Sequence, residues 1–253
     1  MYPNLENIEF SPPSHQLPPA SIPKKSWKEQ LIYWSRKIVL CGLIAIGAYL
    51  GLCTLLLLSL NFLNPPITAV QIQRATEAFL TGEQYHRRAI YRPLNTISDN
   101  LEHAVIAGED TRFYQHWGVD FKELRKMLKS VEHGKGRLRG ASTITQQLVK
   151  NLFLFTYRSY FRKVLEYPLT FLAELILSKH RILELYLNVV EWGRGVYGAQ
   201  AAAEFYYGVS ARSLTRDQSA RLAAILPDPR HRRPSAMDNY SRIILHRMDS
   251  FGW

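Results

Sequence analysis

The sequence predicts a mainly α-helical protein in which one apolar helix near the N-terminus precedes a helical domain. The first observation is a run of 25 uncharged residues at 38–62. The second is that apolar residues recur at helical spacing through most of the remaining chain, and the third is that no stretch shows a convincing alternation of period two. With 253 residues, of which 47% are hydrophobic, the chain can bury a sizeable core.

The apolar run at 38–62 predicts a transmembrane helix, because at ~1.5 Å of rise per residue it exceeds the ~30 Å hydrocarbon thickness of a bilayer. A buried core helix and a cleaved signal peptide are the alternatives. So long an uncharged run is rare in a soluble domain, and the residues that follow it offer no convincing small-residue cleavage site. We therefore expect the anchor to be retained.

The distribution of positive charge predicts the orientation of this helix in the membrane. Five Lys and Arg residues precede the run, and the next charged residue after it is Arg74. By the positive-inside rule, the N-terminus lies in the cytoplasm and the rest of the chain on the other side. We divide the chain into a cytoplasmic tail over 1–37, which is proline-rich and expected to be disordered, a transmembrane helix over 38–62 and an extracytoplasmic domain over 63–253.

Charge and cysteine content narrow the partners of the outer domain. Both cysteines, Cys41 and Cys53, lie in the apolar run, so we expect no disulfide and no thiol chemistry beyond it. From residue 64 onward, 27 Lys and Arg stand against 18 Asp and Glu, which favours an anionic partner. Outside a membrane, lipid headgroups and lipid-linked phosphates are met more often than nucleic acid, so we predict no nucleic-acid partner. A solvated basic surface is the alternative.

The spacing of apolar residues predicts a series of helices in the outer domain. The pattern predicts a short helix within 66–90, a capped helix at 97–107, further helices at 121–132 and 142–152, a long run at 162–190 with a kink or a new start at Pro168, and helices at 199–207 and 215–226 before a proline-rich end. The stretch 133–140 is glycine-rich and basic and is expected to form a mobile loop.

Glu109 and Asp110 are candidate acid or base residues because four aromatic or imidazole side chains follow them within residues 113–117. A carboxylate beside aromatic rings can lose hydration, which raises its pKa into the range useful for proton transfer near neutral pH. The alternative is an acidic pair that caps the next helix.

A cluster of hydroxyl and amide side chains follows at 142–147, and Lys150 lies one turn later on part of the same helix face. Hydroxyls, amides and an ammonium on one face suit a sugar joined to a phosphate. The candidate ligands are Ser142, Thr145, Gln146, Gln147 and Lys150. The alternative is a helix cap at Ser142 followed by solvent-facing glutamines.

Arg162, Lys163 and Glu166 repeat the pairing of cations with an acid, at spacings that place them on one helix face. Ordinary surface ion pairs have the same spacing and contribute little. The local charge density favours a binding role, since residues 112–163 contain 12 Lys or Arg but three Asp or Glu. The histidines show no metal-ligand spacing and no H-E-x-x-H motif occurs, so we predict no structural metal.

Five phrases of the sequence, in order, resemble the five motifs of the family 51 peptidoglycan glycosyltransferases. The matching residues are, motif by motif, Glu109, Asp110, Phe113, His116 and Gly118; Gly140 with 142–147; Arg162, Lys163 and Glu166; 179–188; and 195–198 with Ala201, Ala202 and 206–208. Tyr207 departs from the family, which usually has Phe there, and we carry no donor-site role onto Glu191.

The resemblance implies a lysozyme-like helical fold with a mobile flap near residues 134–140 and a reaction that joins lipid II units into a glycan strand. Glu109 would be the general base that takes the proton from the 4-hydroxyl of the acceptor sugar, and Glu166 would orient and stabilise the donor side. The leaving pyrophosphate would be held by Lys150, Arg162 and Lys163. Asp110, Ser142, Thr145, Gln146 and Gln147 would be substrate contacts.

The same resemblance implies the surroundings of the reaction. Expected partners are lipid II, the nascent glycan strand and the bilayer, with other cell-wall synthesis or division proteins as further candidates. The place would be the bacterial cytoplasmic (inner) membrane, crossed once, with the domain on its periplasmic or outer face. We expect no tightly bound cofactor, although Mg²⁺ or Mn²⁺ could assist at the pyrophosphate. The chain resembles the monofunctional kind, without transpeptidase activity.

Two other functions are compatible with parts of the pattern. A lysozyme-like hydrolase would need a general acid and a water at a glycosidic bond, which leaves the many cations unexplained. A noncatalytic scaffold that binds lipid-linked precursors predicts that a Glu109→Gln variant keeps its function.

Overall fold

The computed structural model describes residues 26–132, 142–157 and 159–253. Residues 1–25 of the expected tail and the glycine-rich loop at 133–140 lie outside the described residues. The rest of the tail was expected to be disordered, but residues 27–37 are helical and continue into the apolar run. The chain divides into two units, one ending at Gly47 and one from Ala48 to the C-terminus. The described part of the first unit is helical from Trp27, with its apolar side chains exposed. The second unit contains all the motifs.

Helices make up most of the second unit, as the sequence predicts. The helices of the described residues are α1 (Trp27–Ser59), α2 (Ala69–Thr81), α3 (Asp99–Glu109), α4 (Phe121–Glu132), α5 (Ile144–Phe153), α6 (Tyr160–Ile176), α7 (Lys179–Val189), α8 (Ala199–Tyr207), α9 (Arg216–Ile225) and α10 (Asp238–Ser250). The predicted bounds of α4 and α8 agree with these residue by residue. The predicted ends of α3, α5 and α9 differ by one or two residues.

Helix α1 is the one helix of the described residues that is long and apolar enough to cross a membrane. Its apolar run does not stay uniformly exposed. Cys53 and Leu57, near the end of the helix, are buried in the core of the second unit, together with Leu60 just beyond it. The C-terminal turns of the predicted span therefore also belong to the outer domain's own packing.

The core of the second unit is centred on α5 and α7, which pack against each other, while α5 also contacts α2 and α6. Fully buried Leu148 on α5 and Leu183 on α7 belong to this core. A second layer is formed by α3, α9 and α10, each packed against the other two. Helix α3 ends at residues of the first motif, and α5 begins at residues of the second. This arrangement therefore brings the first two motifs together.

A small sheet is present that the sequence did not predict. Its strands are β1 (Arg88–Ala89), β2 (Glu191–Gly193) and β3 (Val196–Tyr197), in the order β1-β3-β2. Strand β3 pairs in parallel with β1 and antiparallel with β2. Strands of two or three residues are too short for any alternation to show, which explains why the pattern missed them.

In the second half of the chain, two predictions differ from the structure. Pro168 does not start a helix but lies inside α6, next to fully buried Leu169 and Thr170, and a kink at this position stays a prediction. The long predicted run divides instead at Leu177, after which the Ser178 hydroxyl caps α7. The proline-rich end contains helix α10, which buries Ile244 and Met248.

The start of α5 is fixed by Thr143, not by Ser142 as the alternative held. The Thr143 hydroxyl oxygen accepts from the backbone N–H of Gln146, and the Gln146 side chain accepts from the backbone N–H of Thr143. The Thr143 hydroxyl also donates to the carbonyl oxygen of Gly118, 2.5 Å away. This single residue therefore caps the helix and attaches the first motif to the second.

Candidate active site

Glu109 is the last residue of α3, and its carboxylate borders a cavity of about 460 Å³. Residues from α3, the start of α5 and the C-terminal helix line this cavity, among them Glu109, Thr111, Ser142, Tyr240, Arg247 and Phe251. The lining is largely polar. It places four acids (Glu109, Asp110, Asp120 and Glu123), several hydroxyls and one arginine around a space of the size that small-molecule sites occupy.

The surroundings of Glu109 raise its pKa. Burial of the carboxyl raises the pKa above its ordinary value of 4.5, and the neighbouring charge of Asp110 adds to the rise. The hydrogen bond from Gln147 and the positive charges of Lys150 and Arg232 oppose it. A raised carboxyl pKa brings the group closer to the value that serves a general base near neutral pH.

The side-chain amide of Gln147 holds the Glu109 carboxylate. Its Nε2 donates to Oε2 of Glu109 over 2.6 Å, and its Oε1 accepts from the hydroxyl of Tyr186 over 3.0 Å. Gln147 was predicted to contact substrate, but the structure directs both ends of its amide to protein groups. Its role here is to orient Glu109.

Asp110, another predicted substrate contact, borders the same cavity but is only 7% exposed. Its Oδ1 lies 2.9 Å from Nε2 of His116, and its Oδ2 accepts from the backbone N–H of Ile144 over 3.1 Å. The carboxylate thus lies at the N-terminus of α5, where negative charge is favourable. These contacts connect α3 to the aromatic segment and to α5, which favours a positioning role for Asp110.

Glu166 is surrounded by cations. It is 2% exposed, and its two oxygens each lie 2.5 Å from a cationic nitrogen, one of Arg162 and one of Lys163. Lys163 also lies 3.4 Å from the Ser142 hydroxyl, which borders the cavity. The structure therefore brings Ser142, Arg162, Lys163 and Glu166 together, as predicted. The alternative, in which these residues form ordinary ion pairs on an exposed surface, does not describe them, because Glu166 is buried.

Lys150 connects the two acids electrostatically, since its ammonium interacts with the charges of both Glu109 and Glu166. Burial is the largest effect on this group and lowers its pKa below the ordinary value of 10.5. Among the residues that the structure describes, no side chain forms a hydrogen bond with its ammonium. A desolvated cation of this kind can contribute strongly to binding an anion.

Thr145 and Gln146 lie away from the cavity. The Thr145 hydroxyl is fully buried and donates to Glu174 over 2.5 Å, and Glu174 in turn pairs with Lys179. Gln146 is 2% exposed and completes the capping box of α5. Their positions support structural roles rather than the predicted contacts with a sugar or phosphate. The spacing of polar residues along α5 could not show which side chains face the cavity, because all sides of this helix except one are buried in the protein.

One grouping of the described residues has the compactness of a metal site. Potential ligand atoms of Asp110, His116 and Asp120 all lie within 4.8 Å of one another. Each carboxylate already has partners, however, because Asp120 accepts from Arg112 and from the first N–H groups of α4, while Asp110 accepts from Ile144. The guanidinium and the backbone donors all bind Oδ1 of Asp120, and the N–H of Ile144 binds Oδ2 of Asp110, so these contacts already give both carboxylates a structural role.

Sequence reasoning missed the contribution of the C-terminal region. Tyr240 and Arg247 of α10 line the cavity, and Arg247 donates to the carbonyl oxygen of Ala107 over 2.9 Å. Arg232 contributes positive charge near Glu109. No motif marked these residues, and the helix that carries two of them was not predicted. Apolar residues at 240, 244 and 248 were the available signal.

A half-buried carboxylate beside a cation-rich pair of helices is typical of an enzyme that transfers a group away from an anionic leaving group. Comparison with known proteins specifies the class. The transglycosylase family model matches residues 75–249. The chain belongs to this transglycosylase family, and the predictions of a glycosyltransferase and of a lysozyme-like helical fold are confirmed.

Several relatives of this chain share one description. It is 50% identical over 174 residues to a biosynthetic peptidoglycan transglycosylase of Pseudomonas putida, covering 69% of this chain and 73% of the relative. It is 49% identical over 182 residues to one of Pseudomonas fluorescens, covering 72% and 75%. A third, from Chromohalobacter salexigens, is 46% identical over 207 residues, covering 82% and 88%.

Proposed function

We propose that this protein polymerises peptidoglycan glycan strands, transferring the growing lipid-linked strand to the 4-hydroxyl of lipid II with inversion at the anomeric carbon and release of undecaprenyl diphosphate. Family membership and the names of the relatives support the class of reaction. The observation that carries the mechanism is the Glu109 carboxylate, which borders the cavity, has a raised pKa and is held by Gln147.

Glu109 acts as the general base in this proposal. The acceptor O4–H bond breaks as its proton passes to the Glu109 carboxylate, while O4 forms a bond to C1 of the donor sugar. The bond from C1 to the pyrophosphate oxygen breaks with its electron pair leaving on the diphosphate. Attack on the face opposite to the leaving group inverts C1. A base whose pKa is raised by burial accepts the proton more readily than an exposed carboxylate would.

The leaving diphosphate gains negative charge as the bond to C1 breaks, and fixed cations stabilise that charge most effectively. Lys150, Arg162 and Lys163 provide these cations. Glu166 fixes Arg162 and Lys163 through two short ion pairs, so its contribution is to orient the donor side and not to donate a proton. Ser142, next to Lys163 and the cavity, is suitably placed to contact the substrate.

The apolar helix α1 supports a single-pass anchor in the cytoplasmic membrane. With the N-terminus inside, the domain meets a substrate whose polyprenyl chain stays in the same bilayer, alongside other wall-synthesis or division proteins as candidate partners. We propose glycosyl transfer without peptide cross-linking. Assistance by a divalent cation at the pyrophosphate stays a prediction, and we expect a chelator to reduce the rate without unfolding the protein.

Incubation of the membrane-anchored protein with lipid II tests this function. We expect polymer whose new linkages have the configuration opposite to that of the donor, as read by NMR, and no cross-linked peptide. Incubation with finished glycan is expected to release nothing. Digestion of finished glycan with no polymer from lipid II would instead indicate a hydrolase, and binding of lipid II without turnover would indicate a scaffold.

A further inference from the structure

Tyr186 is a buried residue of α7 that forms a hydrogen-bonded chain to Glu109. Its side chain is fully buried, yet its hydroxyl does not end in the apolar core. It donates to Oε1 of Gln147 over 3.0 Å, and Nε2 of the same amide donates to Glu109 over 2.6 Å. Two hydrogen bonds therefore connect the centre of the core to the carboxylate that borders the cavity.

The direction of this chain follows from the chemistry of its members. An ionised carboxylate only accepts hydrogen bonds, so Gln147 must present its NH₂ group to Glu109. The amide oxygen then points to Tyr186, whose hydroxyl can donate to it. An amide that flipped would place its oxygen against the carboxylate, and the tyrosine hydroxyl opposes that flip because it supplies a donor for the oxygen at a fixed place.

We propose that Tyr186 is a positioning residue for glycosyl transfer, acting on Glu109 through Gln147 by fixing the orientation of the amide. The inference rests on the proposed function, in which Glu109 is the base. The fixed NH₂ group keeps the carboxylate ionised in a half-buried place and directs its free oxygen to the acceptor. Tyr186 itself does not touch the substrate.

The first test is the Tyr186→Phe variant, which keeps the ring and removes the hydroxyl. Loss of one buried hydrogen bond is expected to lower kcat about threefold to tenfold with KM unchanged. The acid limb of the rate profile should move to higher pH, because a carboxylate that loses its donor is protonated more easily. Tyr85→Phe is the matched control, since it removes a tyrosine hydroxyl that bonds to Tyr197 over 2.9 Å, and it should keep wild-type kinetics.

The second test distinguishes the chain from a general loss of packing. In a Gln147→Ala background the hydroxyl has nothing to orient, so adding Tyr186→Phe should change neither kcat nor the acid limb. Additive losses in the double variant, or a Tyr186→Phe enzyme that melts earlier but keeps the wild-type pH profile, would overturn the proposal.

A measurement without turnover separates this inference from the proposed function. The Glu109 carboxyl can be titrated by ¹³C NMR of glutamate-labelled protein, with its signal identified by its loss in Glu109→Gln. We expect Tyr186→Phe and Gln147→Ala to raise its pKa, whether or not the wild type polymerises lipid II. An unchanged pKa in both variants would refute the chain even if polymerisation is found, and a wild type without polymerase activity would refute the proposed function alone.

Discussion

At the scale of single residues, the two glutamates of the site differ in their partners. Glu109 has a neutral amide as its hydrogen-bond donor, whereas Glu166 has two cations. An acid held by a neutral donor in a half-buried place can exchange a proton during the reaction. An acid fixed between an arginine and a lysine is better suited to organise charge. The same residue type therefore serves two purposes because of its surroundings.

The pKa shifts of Glu109 and Lys150 predict a bell-shaped dependence of kcat/KM on pH. The base must be ionised, so activity should fall as pH drops through a Glu109 pKa that lies above 4.5. The cation must be charged, so activity should fall as pH rises through a Lys150 pKa that lies below 10.5. Initial rates of lipid II polymerisation across pH measure both limbs.

A Lys150→Arg variant checks the alkaline limb, because a guanidinium stays charged at any pH that the protein tolerates. Whatever activity this variant keeps should persist to higher pH than that of the wild type. An alkaline limb at the same pH in both proteins would show that another group titrates there.

At the scale of secondary-structure elements, the cap of α5 has a role beyond helix stability. Replacing Thr143 with Ala should cost about 1 kcal/mol in the free energy of unfolding, as for other lost N-caps. It should also lower kcat, because the hydroxyl that holds the Gly118 carbonyl is lost. Thr215→Ala is the matched control, since Thr215 forms the same capping box on α9 and is exposed. In denaturation experiments, the lost cap should destabilise both proteins by a similar amount, and Thr143→Ala should lose further stability with its buried bond to Gly118. Only Thr143→Ala should show a reduced kcat.

Gly118 packs closely against helix α6, and this close packing can be tested. It has φ of +72°, and a Cβ there would lie 2.6 Å from Cγ2 of Thr170. Gly208, at φ of +66°, has nothing within 4 Å of such an atom. Both Ala variants incur the left-handed backbone cost of about 1 kcal/mol, and Gly118→Ala adds a steric clash. Chemical denaturation should show a clearly larger loss for Gly118→Ala, and equal losses would contradict the close packing described.

The bounds of α4 and α8 were predicted to the residue. Apolar residues recur in the sequence of α4 at 124, 128 and 131, and α8 is followed by Gly208, a residue type that commonly ends helices. The small sheet escaped prediction because its strands have only two or three residues, and because β1 pairs with β3 across more than 100 residues of chain. The motifs predicted the segments that meet near Glu109, but not which of their side chains face the cavity. Thr145 and Gln146 point inward because Glu174 and the helix cap hold them, and these tertiary contacts leave no mark on local spacing.

At the scale of the whole molecule, Arg181 attaches the end of the apolar helix to the outer domain. Its guanidinium donates to the carbonyl oxygens of Leu60 and Leu63, 2.7 and 2.8 Å away, and to the Asn64 side chain. It also pairs with Glu184 of α7. A lysine cannot make these several bonds at once. The Arg181→Lys variant should therefore be cleaved faster by a protease near residues 60–66.

Arg216→Lys is the control for that experiment, because Arg216 bonds to Asp249 and the Trp253 carbonyl near the chain's C-terminus. Its cleavage near residues 60–66 should match the wild type. Equal protection of that segment in all three proteins would show that Arg181 does not hold it.

The proposed role of Glu109 as the base of a glycan polymerase can be tested by the initial rate of lipid II polymerisation by Glu109→Gln. Glu102→Gln, the same change two turns earlier on α3, is the matched control. We expect Glu109→Gln to bind lipid II but to polymerise it about 10²- to 10⁴-fold more slowly, as for loss of a general base. Glu102→Gln should stay near the wild-type rate. A Glu109→Gln enzyme that polymerises as fast as Glu102→Gln would contradict the account.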